Sequence, residues 1–296
     1  MAGKEFIPCM TISICIVTLD AGKLLKRCID SIPAAMGNLS YEIIVVDNYS
    51  RDGTLKMLQK HYPFIKLIQN RINKGYTKPM NQALRQAKGA YLLQLNPDAE
   101  LSPGSIITLY EYLKQNPDVG ICEPRIIGDD GFFQRSTRRG LATPWATITY
   151  FLGLSTFFPN NPDMTQYRLE HLDEYSISEV DGVSGTCMLF LREVLDDIGY
   201  LDERFFAYQE DSDYCLRAKK KGWKIIYNPI VTISHSRGHG GSGTQPMRSI
   251  FEWHRSYYYF YYKHLAADYS FVFNWIYTLM MVGKLILTEL KHFVRR

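Results

Sequence analysis

The chain has 296 residues, with 34 Lys+Arg against 30 Asp+Glu for a net charge of +4, and it is 46% hydrophobic, 22% charged and 14% aromatic. These proportions exclude disorder, collagen-like repeats and a polybasic nucleic-acid arm, so no nucleic-acid partner is expected. A chain this long buries roughly 75% of its unfolded surface, as one large domain or two small ones. The six cysteines (Cys9, Cys15, Cys28, Cys122, Cys187, Cys215) form no C-x-x-C pair, and several sit in apolar runs. There they act as small hydrophobes of a reducing compartment.

The first 100 residues alternate two periodicities. Ile7 to Leu19 is mostly apolar, but Glu5 precedes it and Pro8 interrupts it, so it reads as a first strand (Ile12–Thr18) rather than a signal peptide. Leu24, Leu25, Cys28, Ile29 and Ile32 follow at helical spacing, then the buried strand Glu42–Asp47 and a short helix through Leu55 and Leu58. A strand at Ile65–Gln69, a helix marked by Met80, Ala83, Leu84 and Ala87, and a strand at Tyr91–Leu95 complete the pattern. Such alternation predicts a mostly parallel α/β sheet flanked by helices, with ligands beyond the carboxyl ends of its strands. Polar residues stand at those ends: Thr18 and Asp20, Asp47 and Asn48, Asn73, and Asp98.

A helix from Pro103 to Gln115 is expected next, then a strand near Gly120–Ile127 and a Gly-Asp-Asp-Gly hairpin-like turn. Residues 136–178 have weak periodicity and form an excursion over the active face, with one short apolar helix near Trp145–Leu154. A strand at Val183–Leu191, a helix at 210–221 and a strand pair at Ile225–Tyr227 and Val231–Ser234 follow. A Gly/Ser-rich loop, Ser236 to Thr244, precedes two C-terminal helices.

The strings IVTLDAGKLLKRCIDSI, VVDNYSRDGT, NRINKGYTKPMNQAL, YLLQLNPDAE, VSGTCMLFLREV, DERFFAYQEDSDYCLRAKKKGWKI and SHSRGHGGSG run in order from about residue 11 to 265. Together they resemble glycosyltransferase family 2, and within it the bacterial rhamnosyltransferase-like members. The resemblance implies a GT-A (Rossmann-like) fold with a C-terminal helical extension, a nucleotide-sugar donor, Mg²⁺ or Mn²⁺, and inversion at the anomeric carbon. A nucleotide sugar loses a diphosphate whose charge must be held, and a divalent ion bound by carboxylates serves that need.

On this likeness LNPDAE stands at the metal motif, with Asp98 as principal ligand and Asn96 in place of its first carboxylate. His235, closing VTISH, matches a metal-binding histidine of some members; from spacing alone it is a strand-end histidine bonded to a loop carbonyl. Asp211 in YQEDSDYCLR matches the catalytic carboxylate that takes the acceptor proton. Glu210, Asp211 and Asp213 are also plain first-turn acids at a helix start, and like charges this close raise the proton affinity of the cluster. Asp213, about 200° around the helix from Asp211, points elsewhere, toward a backbone amide or Arg217. Asp47 would accept from a pyrimidine N3–H, Thr18 and Asp20 would line the same pocket, and Asn73 and Gly75 would let the backbone approach the nucleotide. Leu19 and Asp20 stand where members usually have an aromatic residue and Asn. Gly185 and Thr186, the latter replacing a commoner alanine, would border the sugar or acceptor together with Glu210.

The C-terminal end carries the surplus aromatics, from Trp253 to Tyr262, and then seventeen mostly apolar residues, Phe271–Leu287. That is short of the ~20 residues of a span. Asn274, Thr278, Met281, Lys284, Thr288, Lys291 and Arg295 make a narrow polar stripe, and the basic KHFVRR ends the chain. A helix lying in the plane of an anionic membrane is expected, with a hydrophobic oligomer helix as the competitor. The resulting expectation is a catalytic domain at 1–245 (nucleotide-sugar half about 11–100, acceptor and base half about 101–245) and membrane-associating or oligomerising helices at 246–296. The activity expected is transfer of a sugar, rhamnose from dTDP-rhamnose ahead of a UDP-sugar, to a lipid-linked or glycan acceptor on the cytoplasmic face of the plasma membrane. A sugar nucleotidyltransferase lacks its Gly-rich triphosphate loop here, and a non-catalytic membrane scaffold would not need Asp47, Asp98 and Asp211 together.

Overall fold

The computed structural model describes residues 10–236 and 245–294. The N-terminal half is built as its periodicities predict. Strands β1 (Ile12–Thr18), β2 (Tyr41–Asp47), β3 (Lys66–Gln69) and β4 (Tyr91–Leu95) are parallel and ordered β3-β2-β1-β4, joined by helices α1 (Gly22–Met36), α2 (Thr54–His61) and α3 (Thr77–Leu84). β1 is buried along its whole length, so its β-branched residues face packed layers on both sides. Its register pairs Thr18 with Asp47, which sets those two residues side by side at the carboxyl edge. Ala87 falls just beyond α3.

The second half departs from a simple parallel continuation. After β5 (Ala99–Glu100), α4 (Ser105–Gln115) and β6 (Val119–Ile127) comes the expected tight turn, where Gly131 N–H donates to Gly128 O and Ile127 bridges Phe133. The excursion holds β7 (Arg138–Arg139), α5 (Pro144–Phe151) and the single-turn helices α6 (Leu154–Phe157) and α7 (Pro162–Thr165), then β8 (Ser178–Glu179). The Val183–Leu191 run is two pieces, β9 (Gly182–Val183) and β10 (Cys187–Leu191), interrupted at Ser184–Thr186. The break has a physical cause: fully buried Glu123 accepts from Ser184 N (2.8 Å), Ser184 Oγ (2.7 Å) and Cys187 N (3.4 Å), pulling the loop out of the ladder. β10 lies antiparallel between β4 and β6. After α8 (Arg192–Ile198) and α9 (Glu210–Lys220), the expected strand pair is one strand, β11 (Lys224–His235), with a register shift between Asn228 and Thr232 that absorbs Pro229. The sheet runs β3-β2-β1-β4-β10-β6-β11-β5, with β8 on β11.

Two apolar layers cover the faces of the sheet, one under α1 and α4 and the other under α3, α8 and α9. A third cluster joins the excursion to helices α10 (Pro246–His264) and α11 (Phe271–Val294): Tyr167, Phe205, Tyr257, Phe260 and Tyr261 are buried together. The aromatic surplus is therefore largely packing. Asp213 pins α10 to the catalytic half: it is fully buried, accepts from Arg217 Nε at 2.9 Å and His264 Nε2 at 2.7 Å, and pairs with Lys263. The five cysteines among the described residues are buried and free.

Helix α11 is the one helix among the described residues long and apolar enough to cross a bilayer, and only 11% of its most apolar stretch is buried. The first residues of its polar stripe pack against α10 and the turn before α11, whereas Lys291 is exposed and Arg295 lies outside the described residues. Asn274 bonds Tyr261 Oη and Ala266 O, Thr278 meets Tyr262 Oη, Met281 is buried, and the apolar face carrying Trp275, Leu279 and Leu290 points outward.

Candidate active site

A cleft of about 400 Å³ opens beyond the carboxyl ends of the central strands. On the side of β1–β3, Asn48 organises the turn after β3. Asn48 Nδ2 donates to Asn73 Oδ1 (2.8 Å) and Gly75 O (2.7 Å), and its Oδ1 accepts from Lys74 N (3.1 Å). Gly75 is obligatory: its φ is +84°, and a Cβ there would lie 2.2 Å from Phe206 O. Beneath this turn, Thr18 Oγ1 and Asp47 Oδ1 are buried without partners, whereas Asp47 Oδ2 accepts from Ser50 N at 3.1 Å. Unpartnered buried oxygens are costly, and they mark a place where a ligand donor would be welcomed. Asp20 does not join them. With φ at +49° its carboxylate turns toward the loop after β2 and accepts from Arg51 N at 2.6 Å, while Leu19 faces the cleft.

The floor is made where β4 meets β10. Asn96 N–H donates to Thr186 O (2.9 Å), and Asn96 Oδ1 accepts from Tyr76 Oη (3.3 Å). The β5–β11 pairing sets His235 opposite Ala99, so His235 Nε2 lies 3.1 Å from Asp98 Oδ1. His235 Nδ1 faces Gln134 Oε1 at 2.9 Å, and that amide is oriented by Gln134 Nε2 donating to His235 O at 2.7 Å. Among the described residues the His235 ring meets two side chains and no loop carbonyl. Among the described residues no three His, Cys, Asp or Glu side chains cluster as metal ligands.

Across the floor, α9 begins with Glu210 and Asp211. Asp211 Oδ2 accepts from Gly185 N (3.2 Å), and Oδ1 accepts from Ser212 N (2.7 Å) and Arg139 Nη1 (3.0 Å). A Cβ at Gly185 would fall 2.2 Å from Gln94 Nε2, so a side chain there would displace that amide. Glu210 is buried with Oε2 unpartnered, and burial, seconded by the Asp211 charge, pushes its carboxyl up to about 8. The like-charge effect thus falls on Glu210. Asp213 goes the other way: burial opposes ionisation, but hydrogen bonds from His264 and Lys263 outweigh it and hold the carboxyl below its usual value.

Thr18, Asn73, Gly75, Asn96, Asp98, Gly185, Thr186, Glu210, Asp211 and His235 all line this one cleft; Asp47 sits behind it and Asp20 outside it. Sequence reasoning missed three contributors. Arg139 and Gln134 lie in or beside the weakly patterned excursion, where no periodicity marks an inward residue. The face of α10 bearing Arg248, Glu252, Trp253 and Tyr257 also lines the cleft, and its spacing of three and four was the available signal.

The family model "Glycosyl transferase family 2" matches residues 13–199. The chain belongs to glycosyltransferase family 2. It is 32% identical over 255 residues to an N-acetylglucosaminyl-diphospho-decaprenol L-rhamnosyltransferase of Mycobacterium tuberculosis, covering 82% of this chain and 81% of that one. Its fold is shared with S. aureus TarS residues 1–349 in complex with UDP-GlcNAc (TM-score 0.59, 18% identity, 90% of this chain and 69% of that chain). A Pyrobaculum calidifontis mannosyltransferase in complex with GDP-Man and Mn2+ also matches (TM-score 0.54, 17% identity, 83% and 62%). This member of family 2 is therefore a glycosyltransferase with the GT-A architecture.

Proposed function

We propose that this enzyme transfers rhamnose from dTDP-rhamnose, with inversion, to a hydroxyl of a lipid-diphosphate-linked sugar. The observation that carries the reading is the Gly185–Thr186 peptide: Gly185 N–H holds Asp211, and Thr186 C=O holds the backbone of Asn96. On this reading a proton acceptor and the floor under the diphosphate are tied to adjacent residues of one loop. The rhamnosyl donor and lipid acceptor are supported by the activity for which the M. tuberculosis relative is named.

In this mechanism Asp211 takes the proton of the acceptor hydroxyl as its oxygen bonds to the anomeric carbon and the bond to the diphosphate breaks. Arg139 and the Gly185 N–H hold the carboxylate in one orientation, so the base is positioned before substrate arrives. Asp47, Thr18, Asn73 and Gly75 bind the nucleoside, with Asp47 Oδ1 accepting the pyrimidine N3–H. Glu210, neutral below about pH 8, can donate a hydrogen bond to a sugar oxygen.

The residues fit a divalent ion. Gln134 Oε1 faces His235 Nδ1 at 2.9 Å, and His235 Nε2 faces the Asp98 carboxylate at 3.1 Å. With His235 neutral and Nε2 unprotonated, an imidazole nitrogen and a carboxylate oxygen so placed would both be ligands for a cation. Asp98, His235 and Asn96 Oδ1 would hold it, and a mixed N/O set suits Mn²⁺ better than Mg²⁺. When bound, such an ion neutralises the diphosphate charge as a Lewis acid.

Residues 1–245 carry the transfer, and 246–296 supply the acceptor wall through α10 and a membrane contact through the outward apolar face of α11. On this reading the enzyme works as a peripheral protein at the cytoplasmic face of the plasma membrane. The test is a panel of dTDP- and UDP-sugars with a prenyl-diphosphate-linked N-acetylglucosamine acceptor, with and without Mn²⁺. Metal-dependent release of dTDP from dTDP-rhamnose, matched by glycosylated product, is expected; no release from any nucleotide sugar would contradict the proposal.

A further inference from the structure

Among the described residues, Lys284 and Arg168 lie against aromatic rings near the cleft and pair with no carboxylate. Lys284, in the middle of the apolar α11, places its Nζ 3.6 Å from the centre of the Phe151 ring and 5.1 Å from that of Trp253, and among the described residues it pairs with no carboxylate. Arg168 stacks on Tyr150 at 4.6 Å, bonds Tyr150 Oη, and likewise pairs with no carboxylate among the described residues. Tyr150 and Phe151 are adjacent residues at the end of α5, with ring centroids 5.6 Å apart. Tyr150, Arg168 and Trp253 line the cleft. An aromatic face orients a cation without consuming its hydrogen-bond donors; Arg168 gives one Nη2 donor to Tyr150 Oη and keeps the others of its guanidinium. A half-buried lysine without a counter-ion is otherwise hard to account for, and burial depresses its basicity.

The surroundings indicate what kind of molecule carries the anion. On one side of the Tyr150–Phe151 pair is the transfer cleft. On the other, the chain after Phe151 exposes Leu152 (65%), Phe157 (76%) and Phe158 (52%), and α11 exposes its apolar face. An occupant spanning this region has a polar end toward the cleft, negative charge at the aromatic pair, and an apolar tail outward.

We infer that Lys284 and Arg168 form the diphosphate subsite for a polyprenyl-diphosphate-linked acceptor, whose prenyl chain lies against the exposed faces of α6 and α11. The inference deepens the lipid-linked acceptor reading and rests on it. It assigns the acceptor's phosphates to residues distinct from the Asp98 side, where the donor diphosphate goes, and it explains an unpaired cation inside an apolar helix.

The test uses farnesyl diphosphate and farnesol as probes on the full chain, with binding followed by tryptophan fluorescence. Wild type is expected to bind farnesyl diphosphate about 10-fold or more tighter than farnesol, a charge-assisted preference. Lys284→Gln removes most of that preference and Lys284→Arg restores it, a rescue that a purely structural lysine would not give. Flotation with phosphatidylglycerol and phosphatidylcholine vesicles distinguishes the other source of phosphate. If Lys284→Gln lowers binding to anionic vesicles as much as to farnesyl diphosphate, the lysine reads bilayer headgroups and the inference falls. Equal wild-type affinity for the two farnesyl probes overturns it as well. Neither result touches nucleotide-sugar turnover, so the transferase reading stands or falls separately.

Discussion

Arg139 Nη1 lies 3.0 Å from Asp211 Oδ1 and equally close to Ser212 Oγ, while its Nε donates to Ser136 O. One guanidinium therefore ties the excursion to the first turn of α9. A forked, planar donor makes these contacts together, and a lysine cannot. Arg139→Gln is expected to lower kcat by about 100-fold with little change in donor KM, the cost of a misplaced catalytic group, and Arg139→Lys recovers only part of it. Steady-state kinetics with varied donor and acceptor checks this; an unchanged kcat would remove Arg139 from the machinery.

Glu210 predicts a pH signature in stability. Its carboxyl is raised from 4.5 to about 8 in the folded protein, by burial first and Asp211 second. Between these values the unfolded chain gives up a proton that the folded chain keeps. The stabilisation is therefore fully present below the unfolded value and is lost as pH rises through about 8. Thermal melts of wild type and Glu210→Gln should diverge in the variant's favour across that window and run parallel above it. A difference in Tm independent of pH would contradict the burial argument.

Asp213 tests the clasp between the catalytic half and α10. Asp213→Ala leaves Lys263, His264 and Arg217 without their shared carboxylate, and removing one member of a buried ion pair costs about 3–5 kcal/mol. Denaturant unfolding should show a loss of that size; a loss below about 1 kcal/mol would mean the network is well solvated.

The outward face of α11 predicts membrane association. Trp275→Ser with Leu279→Ser and Leu290→Ser removes exposed apolar groups that make no core contact, so the fold is kept while flotation with anionic vesicles falls. If a concentration-dependent dimer dissociates instead and flotation is unchanged, the face is a subunit interface.

The legible parts of the molecule share a cause. β1, β2 and β4 are largely buried, so the β-branched runs of β1 and β2 and the leucines of β4 announce both the strands and the ends where Thr18, Asp47 and Asn96 sit. Asp211 is legible through its place in the family resemblance and through its helix start. What was hidden depends on contacts remote in sequence. Asp20 is drawn away by Arg51 N–H and a left-handed backbone, and the Val183–Leu191 strand is broken by Glu123 from 61 residues earlier. The polar stripe of α11 was visible, but a stripe alone does not say whether water or another helix covers it. Here Tyr261 and Tyr262 of α10 take its first residues. Arg139 sits in a segment without periodicity, where nothing local tells an inward arginine from an exposed one.

The central claim is that Asp211 accepts the proton of the acceptor hydroxyl in a glycosyl transfer. Its most direct test pairs turnover with binding for Asp211→Asn, which keeps the size and most of the hydrogen bonds. The account predicts that turnover falls by about 1,000-fold or more, in the range of an essential general base, while calorimetric affinity for dTDP with Mn²⁺ stays within about twofold of wild type. Turnover within about tenfold of wild type at unchanged dTDP affinity would contradict it.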